Sequence, residues 1–143
     1  MPAPALTAEE IRDLLHEVFP QVYYPGCGLK VERVAYGDVR VRREFHEDHL
    51  RPGGTVSGPT MMELADLTMY VAVFSAVGRQ PGAVTSNLNI NFLRMPGHAD
   101  LVADARLLRV GKRLVYGEVT IYSAGEDAPV AHVTSTYSIP NGR

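Results

Sequence analysis

The sequence has little cysteine, little net charge and no uninterrupted run of apolar residues long enough to cross a membrane. Cys27 is the single cysteine among 143 residues, so no internal disulfide can form, which fits a reducing compartment. The formal net charge of −2 gives no indication of a nucleic-acid partner. The longest apolar stretch is interrupted by Glu63, Asp66 and Thr68, which argues against a membrane span. No basic-then-apolar leader opens the sequence, and we therefore expect a cytoplasmic protein.

The length and the composition are those of one ordinary globular domain. Hydrophobic residues make up 45% of the chain and charged residues 21%, both close to the usual values for globular proteins. We find no internal repeat, no low-complexity tract and no long linker. We therefore expect residues 1–143 to form a single domain.

A long helix over about residues 58–77 is the centre of the predicted fold. A Pro/Gly-rich loop precedes it, Pro59 suits its first position, and Gly78 is a plausible C-terminal cap. Most of its faces are apolar, which predicts burial on more than one side. Glu63 and Asp66 nevertheless lie inside it, and an acidic side chain on a buried helix is unfavourable unless it is paired or has a chemical role.

A shorter helix is predicted over about residues 7–19. Thr7 and Glu10 have the spacing of a capping box, in which each side chain accepts a hydrogen bond from the other residue's backbone N–H. Apolar residues then follow at helical spacing, and Pro20 ends the helix.

Period-two alternation predicts two strands before the central helix and four after it. The first two flank the turn signal Tyr36-Gly37-Asp38, and the last four cover residues 87–92, 101–110, 115–122 and 130–139. Short connections favour a mainly antiparallel sheet. The economical packing is an α+β domain in which one curved sheet wraps around the one long helix. The outer face and edge of such a sheet would be left for self-association.

The stretch around the central helix resembles the hotdog-fold acyl-CoA thioesterases of the phenylacetate-degradation (PaaI-like) type. In that family an Asn is followed by His-Gly-Gly at the start of the helix, with a carboxylate nine residues after the His. In this sequence Arg51 occupies the position of the Asn and Ser57 that of the His. Gly58 and Pro59 occupy the positions of the two glycines, and Asp66 that of the carboxylate. The resemblance extends over roughly residues 29–139.

The resemblance implies hydrolysis of aryl or medium-chain acyl-CoA thioesters to a free acid and CoA. It also implies a homodimer with active sites shared between chains, and a homotetramer built as a dimer of dimers. No metal or redox cofactor is required, and coenzyme A enters only as part of the substrate.

The resemblance and the chemistry of the residue types together give a set of candidate site residues. Free N–H groups at the start of the central helix would stabilise a developing oxyanion, and a carboxylate from the partner's helix would attack the carbonyl or activate a water. A hydroxyl group beside the carboxylate would help to keep it ionised. The expected catalytic residues are Asp66, Gly58 and Thr85, and the expected substrate-binding residues are Arg51, Ser57, Pro59, Met62, His49 and Asn87.

Other interpretations of the same residues stay open at this point. Asp66 could be a structural carboxylate, Glu63 a paired one, and Ser57 a helix N-cap instead of a nucleophile. The departures at Arg51, Ser57 and Pro59 motivate a non-catalytic acyl-CoA or acyl-carrier binding protein. A dehydratase would need a histidine such as His46 or His49 beside the acyl chain. A metal site at these two histidines is disfavoured, because the stretch is expected to leave a strand without helical spacing.

Overall fold

The computed structural model describes residues 2–142, which form two helices, one short 3₁₀ helix and eight strands. The N-terminal part contains α1 (Ala8–Val18), β1 (Leu29–Ala35), β2 (Asp38–Arg43) and the 3₁₀ helix (Glu47–His49). The middle of the chain contains β3 (Leu50–Arg51), β4 (Thr55–Val56) and α2 (Gly58–Val77). The last part contains β5 (Val84–Phe92), β6 (Leu101–Val110), β7 (Leu114–Ser123) and β8 (Pro129–Ser138).

Six strands form one antiparallel sheet around α2. Their order is β1-β2-β6-β7-β8-β5, so β1 and β5 are the two edges. Every pair in this sheet is antiparallel. β3 and β4 pair separately as a small two-stranded sheet before α2. The predicted α+β arrangement of a mainly antiparallel sheet around one long helix is confirmed.

The core of the domain lies between α2 and the inner face of the sheet. Leu64, Val71 and Phe74 of α2 are fully buried. The fully buried Thr68 hydroxyl is satisfied within the helix, since Thr68 Oγ1 donates to the Leu64 carbonyl at 2.6 Å. By length and composition α2 would pass as a membrane span, but most of its length is buried inside the domain. It is therefore the core helix of a globular fold.

The N-terminal helix packs over the same core. The capping box predicted for it is present, because Thr7 and Glu10 exchange hydrogen bonds of 2.9 and 3.2 Å. Its apolar face is buried through Ile11, Leu14 and Leu15. The C-terminal end of this helix forms part of the wall of a cavity next to Asp66.

The segment between β2 and α2 differs from the sequence-based expectation. Residues 46–49 do not simply leave a strand: His46 Nδ1 accepts the Asp48 backbone N–H at 3.0 Å and caps the 3₁₀ helix. Gly53 and Gly54 both have positive φ, +100° and +79°, which allows the tight turn between β3 and β4. Elements of two or three residues are too short for an alternation pattern to predict them.

At Gly117, β7 lies close to β6 and to α2. A Cβ added there would lie 2.9 Å from the Arg106 carbonyl oxygen and 3.1 Å from Met69 Sδ of α2. We therefore expect Gly117→Ala to lower the free energy of unfolding by about 1–3 kcal/mol through overpacking. The measurement is chemical denaturation beside Gly82→Ala, whose added Cβ has no heavy atom within 4 Å. Equal stabilities for the two variants would contradict this packing.

Candidate active site

Asp66 lies half-buried on α2 and accepts hydrogen bonds from two hydroxyl groups. Thr85 Oγ1 donates to Asp66 Oδ1 at 2.6 Å, and Tyr137 Oη donates to the same oxygen at 2.8 Å. Among the described residues, Asp66 Oδ2 has no hydrogen-bond partner. The predicted contact between Thr85 and Asp66 is therefore present, whereas no pattern in the sequence indicated the Tyr137 contact.

The register of the sheet places the two hydroxyl groups together. Thr85 of β5 pairs directly with Tyr137 of β8, and both face α2. A bulge follows between Thr85 and Asn87, so Asn87 pairs with Thr136 and faces the opposite side of the sheet. The structure thus brings Thr85 to Asp66 but does not bring Asn87 to this cluster.

A cavity of about 380 Å³ adjoins the Asp66 cluster. Its polar groups are those of Asp66, Thr85, Tyr137 and Glu63, and the rest of its wall is mostly apolar. The wall comes from four parts of the chain: α1 with the segment after it, α2, the start of β5 with the residues just before it, and β8. The apolar and aromatic lining residues are Val18, Phe19, Val22, Leu67, Tyr70, Pro81, Ala83 and Val84.

The start of α2 leaves one backbone N–H free. Ser57 is the N-cap, as predicted, and its Oγ accepts the Thr60 N–H at 3.3 Å. Met61 N–H donates to the Ser57 carbonyl, and Pro59, at the second helical position rather than the first, has no N–H. Within residues 2–142 the Gly58 N–H has no acceptor. A free N–H at a helix N-terminus is suited to bind a carbonyl oxygen or an anion.

Phe92, the last residue of β5, lies against this helix terminus. A Cβ on Gly58 would be 3.1 Å from Phe92 Cζ, so the glycine leaves room for the ring. The Phe92 side chain is about half exposed. A ligand carbonyl that approaches Gly58 would therefore contact an aromatic ring as well as the free N–H.

One chain does not bring Gly58 and Asp66 to the same place. They are eight residues apart on α2, which corresponds to roughly 12 Å along the helix axis. A thioester carbonyl is only a few atoms across. The two groups can act on one carbonyl only if different copies of the chain supply them.

The remaining candidate substrate-binding residues are spread around the start of α2. Arg51 is exposed, and its Nε donates to the Pro52 carbonyl at 3.1 Å. Pro59 and Met62 are also exposed. Met62 does not line the Asp66 cavity, which is lined instead by the α1 and α2 residues given above.

A second, more polar cavity of about 530 Å³ lies on the other side of Glu63. The buried Arg43 contacts it, and Arg43 donates to Glu63 Oε1 at 2.6 Å and to the Cys27 carbonyl at 2.8 Å. The interpretation of Glu63 as a paired carboxylate is thus confirmed. The sequence offered no signal for Arg43, because its alternation pattern is that of an ordinary β-strand.

His46 and His49 line this second cavity and not the Asp66 cavity. Their rings are in edge contact, with centroids 5.9 Å apart. In the part of the chain that the structure describes, no three His, Cys, Asp or Glu side chains are grouped as a metal site would require. The His49 carbonyl accepts the Ser57 N–H at 2.8 Å, so this residue supports the loop before α2.

Burial, and then the nearby charges of Arg43 and His46, lower the pKa of His49 below its ordinary 6.5. As the pH falls, the unfolded chain therefore protonates His49 before the folded chain does. For this reason the free energy of unfolding decreases as the pH drops below about 6.5. We expect His49→Gln to show a smaller loss of thermal midpoint between pH 7 and pH 5 than the parent.

The matched control for this measurement is His16→Gln, at an exposed position of α1, which should keep the parent's loss of thermal midpoint. A decline in His49→Gln as steep as that of the parent would show that His49 does not contribute this pH dependence.

Comparison with known proteins places the chain in a family. The thioesterase superfamily profile matches residues 53–130, more than half of the chain. A putative esterase of Halobacterium salinarum is 33% identical over 106 residues, which are 71% of this chain and 70% of that protein. This family match begins in the turn before α2 and ends in β8.

Solved structures with the same fold include proteins with substantial sequence identity. The crystal structure of a putative thioesterase from Silicibacter sp. TM1040 superposes with a TM-score of 0.84 and 41% identity, and covers 96% of this chain and 94% of that one. A mutant of the phenylacetic acid degradation protein PaaI from Thermus thermophilus gives a TM-score of 0.69 and 31% identity, and covers 78% and 92% of the two chains.

The antiparallel sheet around one buried helix is therefore the hotdog fold, and the general reaction supported for this class is thioester hydrolysis. The chain belongs to the thioesterase superfamily. Within it, the predicted resemblance to the PaaI type is confirmed.

Proposed function

We propose that this protein hydrolyses acyl-CoA thioesters to a free acid and CoA. The observation that carries the proposal is the Asp66 carboxylate, held by the Thr85 and Tyr137 hydroxyl groups beside a mostly apolar cavity. A carboxylate with one fixed and one free oxygen can act as a general base or as a nucleophile. Membership of the thioesterase superfamily supports the thioester as the bond that is broken.

In the water-mediated form of the reaction, Asp66 Oδ2 takes a proton from a water whose oxygen adds to the thioester carbonyl carbon. The carbonyl oxygen becomes an oxyanion, which the Gly58 N–H at the positive end of α2 stabilises. The C–S bond then breaks, and the sulfur leaves as the CoA thiolate, which takes the proton. Direct attack by Asp66 would pass through an anhydride that water then hydrolyses. Neither form requires a metal or a redox cofactor.

Each active site is proposed to use two copies of the chain. Gly58 and Asp66 are roughly 12 Å apart along one helix, so the oxyanion donor and the carboxylate come from different subunits. Edge strand β5 is a suitable contact, because it is exposed along most of its length and an exposed edge can pair with another chain. Large apolar side chains at Val84, Phe92, Leu93 and Met95 are also exposed near it.

The proposed assembly is therefore a homodimer with shared sites, and two dimers would associate into a homotetramer. We place the protein in the cytoplasm, because Cys27 as the single cysteine fits a reducing compartment. The partner molecule is the acyl-CoA substrate itself. Arg51, exposed on the loop before α2, is a candidate contact for its CoA part.

The cavity beside Asp66 supports aryl or medium-length acyl groups. Its volume of about 380 Å³ is bounded by Phe19 and Tyr70, whose rings meet edge to face with centroids 6.1 Å apart. Aromatic walls of this kind favour a planar or short apolar group through edge and stacking contacts. The likeness to a protein of phenylacetic acid degradation in Thermus thermophilus supports the same class.

The direct test is release of free thiol from a panel of aryl- and fatty acyl-CoAs. Asp66→Asn should lower kcat by roughly 10² to 10⁴-fold, the range for loss of a general base. The matched control is Asp127→Asn, the same change on the exposed turn between β7 and β8, which should keep the parent rate.

An inert parent that still binds acyl-CoA would overturn the hydrolase and leave a binding protein. An active parent whose rate survives Asp66→Asn would retain thioester hydrolysis but remove Asp66 from the reaction. Isothermal titration with a non-hydrolysable acyl-CoA thioether separates loss of binding from loss of turnover.

Phe19 tests the assignment of the acyl cavity. Phe19→Ala removes a ring from the wall that α1 and its C-terminal end contribute, so longer acyl chains should fit. We expect the ratio of kcat/KM for a long-chain over an aryl substrate to rise on the order of 10-fold. Tyr24→Ala, an exposed aromatic residue outside this cavity, is the control and should leave the ratio unchanged. An unchanged ratio in Phe19→Ala would place the acyl group elsewhere.

A further inference from the structure

Tyr137 contacts Asp66 at two atoms. Its phenol oxygen lies 2.8 Å from Asp66 Oδ1 and 2.9 Å from the Asp66 backbone carbonyl oxygen. Thr85 reaches Oδ1 from the other strand at 2.6 Å. Two donors thus converge on one carboxylate oxygen, and both come from the end of the sheet where β5 and β8 pair.

The Tyr137 side chain is held in place by packing. It is 3% exposed, and its ring stacks on Tyr70 of α2 with centroids 5.9 Å apart and an angle of 24° between the planes. The Tyr70 hydroxyl in turn donates to the Pro81 carbonyl. A side chain fixed on every side can hold its hydrogen-bond partner in one rotamer.

The Tyr137 phenol is protonated and can therefore donate a hydrogen bond to Asp66. Burial, and then the negative charge of Asp66, raise the pKa of the Tyr137 phenol well above its usual value. The phenol therefore keeps its proton across the pH range in which proteins function. Its O–H is available to the carboxylate throughout, and the ring does not take part as a base.

We propose that Tyr137 is a positioning residue for Asp66: together with Thr85 it fixes Oδ1, and so leaves Oδ2 as the single reacting oxygen of the carboxylate. The inference rests on the proposed function, because it assigns an orientation to the group that performs the reaction. Without the phenol, the carboxylate could rotate about χ2 into orientations in which its free oxygen no longer points at the reacting water or carbonyl. Such displacement of a reacting group by about 1 Å can lower a rate on the order of 100-fold.

The first test is Tyr137→Phe, which removes one oxygen and keeps the ring that stacks on Tyr70. We expect kcat for thioester hydrolysis to fall roughly 10- to 100-fold, with KM changed less than about threefold. Tyr122→Phe is the matched control: it removes the same atom from the neighbouring strand β7 and should keep the parent kcat. Thermal unfolding of each variant shows whether the fold is intact.

The second test separates positioning from a general structural effect. In Asp66→Glu the carboxylate is moved by one methylene, so Tyr137 can no longer hold it in the same place. Adding Tyr137→Phe to Asp66→Glu should then lower kcat less than about threefold. Thr85→Val removes the other donor to Asp66 Oδ1. The loss of kcat in the double variant Thr85→Val/Tyr137→Phe should differ from the sum of the losses, as free energies, in the two single variants.

The outcomes distinguish this inference from the proposed function. If Asp66→Asn abolishes turnover while Tyr137→Phe keeps the parent kcat, the hydrolase stands and the positioning role is overturned. An equal loss from Tyr137→Phe in the parent and in Asp66→Glu also overturns it, because the effect then does not act through the carboxylate. A parent with no hydrolysis of any thioester overturns both.

Discussion

The structure depends on one constraint: a carboxylate lies on a helix that the sheet surrounds. α2 is buried along most of its length, and the buried Thr68 and Ser75 hydroxyl groups on it donate to carbonyl groups of the same helix. A carboxylate cannot be satisfied in that way. Asp66 instead takes its hydrogen bonds from strands β5 and β8, which ties the position of the acid to the register of the sheet. Without these two donors the half-buried carboxylate would lose two stabilising hydrogen bonds.

The same constraint explains why the proposed site lies at a sheet edge. β5 is an edge strand and β8 is its single neighbour in the sheet, so the pair of hydroxyl donors sits where the wrapped sheet ends. The cavity opens there because, within residues 2–142, no further strand lies beyond β5. A second copy that pairs with this edge would close the cavity and bring its own α2 close to Asp66. Dimer formation and completion of the site would then be one event.

Local patterns in the sequence predicted the elements that local chemistry determines. The capping box of α1, the N-cap at Ser57 and the alternating strands follow from neighbours in sequence, and the structure contains them. Contacts between residues far apart in the sequence could not be predicted in this way. Nothing near Arg43 indicates that it contacts Glu63. For Tyr137, the alternation in the last strand indicated only the face of the sheet on which it lies, and not its contact with Asp66. Asn87 shows a further limit, because it is two residues from Thr85 and alternation would put both on one face. The bulge between them reverses that relation.

Near the proposed site, the hydrogen bonds leave two groups without partners in the described residues: the Gly58 N–H and Asp66 Oδ2. Pro59 removes one N–H from the first turn of α2, Ser57 takes the Thr60 N–H, and Gly58 is left with the free donor. On the other side of the reaction, Thr85 and Tyr137 occupy Oδ1 of Asp66 and leave Oδ2. Each reacting group thus retains one unpaired atom after the chain has satisfied the rest. Because Gly58 and Asp66 are roughly 12 Å apart along the axis of one helix, one proposed site would take these two groups from different subunits. The proposed reaction therefore requires an assembly in which α2 of one copy approaches α2 of the other.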